Sequence, residues 1–324
     1  MRIVTIIFLL LFASATHPAQ AQIGGSVSSI TGENVSIILD PQYPNPGDKV
    51  EATIDDYSLT NTGSTITWFF DGLNAPTVTN NRKITFTAPE VGKSMEIRAQ
   101  LTAPNGQRLE AKRRITPLYL DLIIEPQTYT PAFYKGRALP TKGSIININA
   151  LLQDKNGPVV SSNFSYSWTL NNKSVYGGAR PGGNWAQIEV PHGQSSIITI
   201  SVHDKSGTTV ARKVIAIPTA KLDVQFYEKS SLLGLRQSAI LSDLIITGNG
   251  VSIKAVPYYL DLRSVGNNLF TQWSINNAPL ITDSLDPFEI NLERGTAGSA
   301  RIGFKIRNVT ELLQSDEGSF QIKL

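Results

Sequence analysis

The sequence predicts an all-β chain built as three antiparallel β-sandwiches in tandem, and three observations carry that prediction. A tryptophan recurs in nearly the same surroundings about a hundred residues apart, as Ile66–Gly72 around Trp68, Tyr166–Asn172 around Trp168 and Thr271–Asn277 around Trp273. Each tryptophan opens a short alternating run that ends in Asp or Asn. Apolar and polar residues alternate with period two on either side of every tryptophan, the mark of strands with one buried and one wet face. The composition also fits: 41% of the 324 residues are apolar and 17% charged, enough to bury cores without a disordered balance.

Residues 1–21 form a separate element. Arg2 provides a thin basic start, Ile3–Ala13 an apolar core, and Ala19 and Ala21 small residues at a cleavage site. This is the pattern of a secretory signal peptide, too short to span a bilayer. Cleavage after Ala21 predicts a mature chain that begins at Gln22 and holds no transmembrane segment. The expected location is extracellular, cell-surface or periplasmic. Residues 22–30, rich in Gly and Ser, are expected to form a flexible tail. The chain has no cysteine, so disulfides and lipid attachment through cysteine are both excluded.

The first unit is expected over 31–117, with Val50, Ala52 and Ile54 before Trp68 and Ile97, Ala99 and Leu101 after it. The second, over 118–218, has Ile146, Ile148 and Ala150 before Trp168 and Ile198, Ile200 and Val202 after it. The third, over 219–324, has Val251, Ile253 and Ala255, then Ile302, Phe304 and Ile306. Trp68, Trp168 and Trp273 are therefore the predicted centres of three cores. Turns at Pro104–Gly106 and Lys205–Gly207 lead to the next strands, because Asn-Gly and Ser-Gly reach positive φ at little cost. In the third unit Val309–Glu317 takes the place of that turn. Ser231–Leu244 is the one stretch with a helical alternative, as a short helix or a longer loop interrupted by Gly234. Short connectors holding Pro117 and Pro218 predict restricted hinges between units.

The element around Trp68, Asp71 and Gly72, preceded by Pro44, Asn45, Pro46, Gly47 and Asp48, resembles bacterial immunoglobulin-like and PKD-type domains of secreted and surface proteins. The PKD pattern reads Trp-Asp-Phe-Gly-Asp-Gly, and this chain keeps the Trp, a Phe and the Asp-Gly. The likeness is best in the first unit and weakest in the third. Two immunoglobulin hallmarks are missing, the inter-sheet cysteines and the corner tyrosine. The resemblance implies three tandem immunoglobulin-like sandwiches in an exported, non-enzymatic spacer, adhesion or surface-assembly protein, with a protein or glycan at the cell surface as partner.

The residues offer little for catalysis. Beyond the leader there are two histidines, and neither His192 in its Pro-His-Gly turn nor His203 on a predicted strand has the partners that a Ser-His-Asp triad or a zinc site needs. Asp154–Gly157, Asp204–Gly207 and Asp55–Asp56 read as turns, lacking the acids of a calcium loop. No cofactor or metal is expected. Without Arg2, 28 basic residues face 26 acidic ones, which is no nucleic-acid footprint. Lys112, Arg113 and Arg114 read as a solvated strand edge.

The segment best suited to binding is Tyr176–Trp185, which holds four glycines together with Arg180 and Asn184. Tyr, Trp and Arg are the residues of binding hot spots, so Tyr176, Arg180, Asn184 and Trp185 are the candidate contacts for a glycan or protein. This loop motivates the second functional reading, a carbohydrate-binding accessory module of an exported polysaccharide-degrading system. Against it stands a structural role, in which Trp185 opens the strand that follows and packs on its own sheet. Tyr129–Lys142, with Tyr129, Phe133 and Tyr134, is expected to cover a sheet edge or join a domain interface.

Overall fold

The structure, a computed structural model, describes residues 35–56, 63–71, 77–79, 81–104, 106–193, 196–265, 268–282, 284–295 and 298–323. The expected leader and tail lie outside the described residues. The described chain is all-β, with strands in six sheets and two single-turn 3₁₀ segments. The sheets work in pairs, because the inner faces of each pair feed one common apolar cluster.

In the first pair, Val35–Asp40, Lys49–Asp56 and Lys83–Thr87 form one sheet. Thr77–Thr79, Thr65–Phe70, Met95–Thr102 and Arg108–Ile115 form the other, in that order. Val50, Ala52 and Ile54 from one sheet, and Trp68, Ile97, Ala99 and Leu101 from the other, close the cluster. The second pair sets Ile145–Asp154 between Tyr119–Pro126 and Trp185–Glu189. Against it lies a sheet of Ser165–Leu170, Ile197–His203 and Thr209–Ala216 with short edge pieces. The third pair joins Gly234–Ile240, Asp223–Ser230, Gly250–Tyr258 and Glu289–Glu293, facing Asp243–Ile245, Ser315–Lys323, Ser299–Asn308, Leu269–Ile275 and Ala278–Leu280. Pairings are antiparallel except that of Asp243–Ile245 with Ser315–Lys323.

All three tryptophans occupy the same register slot. Trp68 stands opposite Ala99, Trp168 opposite Ile200 and Trp273 opposite Phe304, and none is more than 2% exposed. The hairpins that follow in the second and third pairs are closed by Asn171–Asn172 and Asn276–Asn277, all with positive φ, the geometry that matches the twist of paired strands. In both, the first Asn side chain also accepts the N–H of a neighbouring strand, that of Ile197 at 2.9 Å and of Arg301 at 2.9 Å.

Two readings change. Ser231–Leu244 is neither helix nor loop: Gly234–Ile240 is an edge strand paired with Asp223–Ser230, and Asp243–Leu244 begins a strand in the facing sheet. Gly234 sits at the hairpin with φ of 73°, so the residue that interrupts a helix here closes a turn. Asp55 and Asp56 are not a turn but the end of a strand, opposite Ser36 and Val35.

The segment 127–142 reaches across to the third pair. Tyr129 N–H donates to the Leu260 carbonyl and Tyr259 N–H to the Tyr129 carbonyl, each at 2.7 Å. Phe133 and Tyr134 then pack on Tyr227, Val256 and Tyr258, the outer face of the sheet whose inner face holds Phe226 and Ala255. Below this, Arg263 donates to the Gly143 carbonyl, the Gln314 amide donates to the Lys142 carbonyl at 3.0 Å, and His192 lies 3.6 Å from Glu311. The first and second pairs meet more sparsely, through Leu120 N–H to Asn45 at 3.3 Å and Gly92 N–H to the Pro117 carbonyl at 2.8 Å.

Candidate functional site

The Gly-rich loop begins in one sheet and ends in the other. Arg180–Pro181 pairs with Ser165–Tyr166, and Trp185 then enters the opposing sheet beside Asn149. Gly182 allows the crossing, with φ of 65° and an N–H given to the Phe164 carbonyl at 2.9 Å. Gly183 has no room for a side chain, because a Cβ there would stand 2.9 Å from that of Arg180. From beneath, the buried Trp168 indole donates to the Gly183 carbonyl at 2.9 Å. The core tryptophan thus anchors the loop. Asn184 completes the crossing, its carbonyl accepting the Ala150 N–H at 2.8 Å.

The four candidate contacts come together, with unequal roles. The Arg180 guanidinium lies 3.6 Å above the Tyr176 ring and donates to the Trp185 carbonyl at 2.9 Å. Tyr176 in turn accepts the Gln187 N–H at 3.0 Å. A cation held over an aromatic face and against a carbonyl is tied into the loop, although the buried Arg180 Nε has no hydrogen-bond partner among the described residues. Arg180, Tyr176 and Asn184 therefore shape the loop. Trp185 is 43% exposed, because its strand alternates and Ala186 and Ile188 take the core side. Its indole belongs to an outer face that also carries Asn149 opposite it and Asn147 opposite Gln187, the latter two linked at 3.2 Å. Ile123 and Leu151, both partly exposed, extend that face. Asn147 and Asn149 were legible as the outward members of the run Ile146–Ala150. Their meeting with Trp185 needed the strand pairing. A cavity of about 340 Å³ opens next to the loop, between Lys173–Val175 and Gln187–Glu189.

The remaining polar features resolve locally. His203 Nε2 is 2.9 Å from Ser167 Oγ, but its Nδ1 faces the Thr209 hydroxyl at 3.2 Å instead of a carboxylate. Asp204 accepts from the Ser206 hydroxyl and from the N–H groups of Ser206 and Thr208, which closes the turn. These bonds, the Ser206 hydroxyl first, hold its carboxyl below the usual range. Asp154 likewise caps its turn by accepting the Asn156 N–H at 2.7 Å. Among the described residues no three acidic or histidine side chains converge as metal ligands, and no helix is long and apolar enough to cross a membrane. The basic run splits by strand alternation. Lys112 and Arg114 are exposed and paired with Glu110 and Glu96, while Arg113 lies between them on the other face.

No protein-family model and no curated protein matches the chain. Among solved structures it is similar to the three N-terminal domains of the bacteriophage RB49 Highly Immunogenic Outer Capsid protein, at 14% identity over 90% of this chain and 99% of that one, with a TM-score of 0.27. It is similar to immunoglobulin domains 1–5 of Sidekick-1, at 12% identity over 89% of this chain and 56% of that one, with a TM-score of 0.31. It is also similar to the SGBP-B of a Bacteroides ovatus mixed-linkage glucan utilization locus, in complex with a mixed-linkage heptasaccharide, at 13% identity over 91% and 71% of the two chains and a TM-score of 0.22. The fold assignment rests on the sheets and cores themselves: an all-β chain of paired, mainly antiparallel sheets.

Proposed function

We propose that this is an exported, non-enzymatic array of three immunoglobulin-like units, 31–117, 118–218 and 219–324, that acts as a spacer in adhesion or surface assembly. The observation that carries the reading is the joint between the second and third sheet pairs. A connector that only tethers needs no such joint. Here the segment 127–143 adds backbone pairing at Tyr129, aromatic packing at Phe133 and Tyr134, and hydrogen bonds from Arg263 and Gln314. Fixing two units in one orientation lets an array hold a distal element at a set distance. Because the chain has no native cysteine, spin labels can be placed at Lys173→Cys and Arg301→Cys alone. A narrow inter-label distance distribution, broadened by the pair Phe133→Ala and Tyr134→Ala, is expected. A broad distribution in the parent chain refutes a spacer role for this joint.

The second reading, glycan recognition, has its own support in the half-exposed Trp185, set beside Asn147, Asn149 and Gln187. A flat aromatic surface bordered by amides suits the apolar face and hydroxyl edge of a sugar. Trp185→Ala should abolish binding of those array glycans that the Trp185 face holds, while the melting temperature stays unchanged. A lowered melting temperature instead assigns Trp185 to the fold alone.

A further inference from the structure

A second concave surface lies at the joint. The segment 133–135 and the outer face of the third-pair sheet that holds Asp223–Ser230 border an open groove of about 480 Å³, within the range of small-ligand sites. Its walls are aromatic. Tyr134 meets Tyr258 and Tyr259 edge to face, at centroid distances of 5.2 and 6.4 Å; Tyr227 and Tyr258 are buried, and the half-buried Tyr134 and Tyr259 supply the accessible aromatic surface. Its rim is polar. Asp223 and Gln225 line one side, joined by bonds from the Gln225 amide of 2.9 and 3.0 Å, and Gln237 projects from the edge strand opposite.

The backbone at Tyr259 is the second observation. Its φ is +63°, the left-handed region that a bulky residue seldom adopts. In an unbroken strand Tyr258 and Tyr259 would point to opposite sides. With this conformation both line the groove. The bonds between Tyr259 and Tyr129, and between the Tyr259 and Tyr134 hydroxyls at 2.8 Å, hold it there. An uncommon backbone held by several contacts points to function.

We infer that this groove is a binding site for a neutral carbohydrate, whose pyranose rings pack against the half-buried Tyr134 and Tyr259 and whose hydroxyls meet Asp223, Gln225 and Gln237. The charge of the lining decides the class. One carboxylate, Asp223, and one ammonium, Lys135, give no net formal charge, so neither anions nor cations are favoured as such. A carboxylate and two amides offer both donors and acceptors, as a polyhydroxylated ring requires. An apolar peptide side chain would fill the aromatic wall but leave that rim unmatched. The groove spans 133–135 and the third pair, so an occupant also ties the two bodies together and raises the unfolding temperature by mass action. This site is distinct from the Trp185 face and stands without it.

The test is calorimetric titration of the whole mature chain with neutral tetrasaccharides: β-1,4- and β-1,3-glucan, α-1,4-glucan, β-1,4-mannan and β-1,4-xylan. A tetragalacturonate serves as the charged control. Saturable binding of at least one neutral member is expected, with a rise in melting temperature. Gln225→Ala and Gln237→Ala should each weaken it at least about tenfold, with the ligand-free melting temperature unchanged. Trp185→Ala should leave this binding intact. No binding at about 10 mM ligand, binding of the charged control alone, or binding indifferent to both glutamine variants overturns the proposal. Binding lost only with Trp185→Ala also overturns it, and assigns recognition to the other face.

Discussion

The three tryptophans look equivalent in sequence, but their indole nitrogens are not, and this yields a quantitative prediction. Trp168 donates to the Gly183 carbonyl at 2.9 Å and Trp273 to the Pro287 carbonyl at 3.1 Å. The buried Trp68 nitrogen has no hydrogen-bond partner among the described residues. Replacement by Phe removes the same volume at each position, costing roughly 1–2 kcal/mol as part of the 3–5 kcal/mol of full truncation. At Trp168 it also strands the Gly183 carbonyl, which adds about 1–3 kcal/mol. At Trp68 it removes a buried unsatisfied donor, which offsets part of the loss. Trp168→Phe should therefore cost roughly 2–5 kcal/mol, or a melting shift of about 8–40 °C for a unit of this size. Trp68→Phe should cost about 1 kcal/mol, and Trp273→Phe should behave like Trp168→Phe. Urea titration followed by far-ultraviolet circular dichroism measures the costs. Amide exchange of Gly182 and Gly183 should also quicken in Trp168→Phe, since the loop loses its anchor. Equal costs at Trp68 and Trp168, or unchanged exchange in the loop, would falsify the idea that the core tryptophan holds the Gly-rich loop.

Three further outcomes follow from the same geometry. Asp261 is 1% exposed and relies on Arg263 at 2.6 Å; Arg263→Met should cost about 2–4 kcal/mol by leaving that carboxylate buried without its partner. Adding Asp261→Asn should recover most of the loss, and a double variant no more stable than the single one refutes the pairing. Gly183→Ala should cost about 1–3 kcal/mol through overlap with Arg180, seen as a lower melting temperature; a neutral result means that the loop is loose in solution. Burial first, and the hydrogen bond with Tyr134 second, push the Tyr259 phenol from 10.0 up to about 12. Below pH 10 both the folded and the unfolded chain keep this proton, so its contribution is fully present. It falls as pH rises from 10 towards 12, because only the unfolded chain ionises there. Tyr259→Phe should flatten the alkaline decline in denaturation midpoint, and an unchanged slope rules the contribution out.

Much of the fold was legible in the chain. Alternation placed Ile97–Leu101, Ile198–Val202 and Ile302–Ile306 on the core sides of strands, and the recurring tryptophans announced a repeated unit. These signals are local: a period of two and a turn residue are set by neighbours in sequence. Gly234 shows where local reading stops, since a glycine closes a hairpin as readily as it ends a helix. Only the presence of the strand Asp223–Ser230 alongside decided between them.

The site divides in the same way. Sequence alone singled out Tyr176, Arg180, Asn184 and Trp185 by residue type, and Tyr129–Lys142 as an insertion with two possible places. It could not say that Arg180 spends its charge on Tyr176 and a carbonyl while Trp185 keeps an open face. Which of the four stays available depends on strand register, through contacts with Asn149 and Gln187. The joint groove was decided at longer range still. Asp223, Gln237 and Tyr259 carry no shared pattern and lie up to 126 residues from Phe133. They meet because Phe133 and Tyr134 bury apolar area against Tyr227, Val256 and Tyr258 on the outer face of the third pair. Chain composition sets how much apolar surface must be buried, and the partner that buries it is settled only when the sheets have formed.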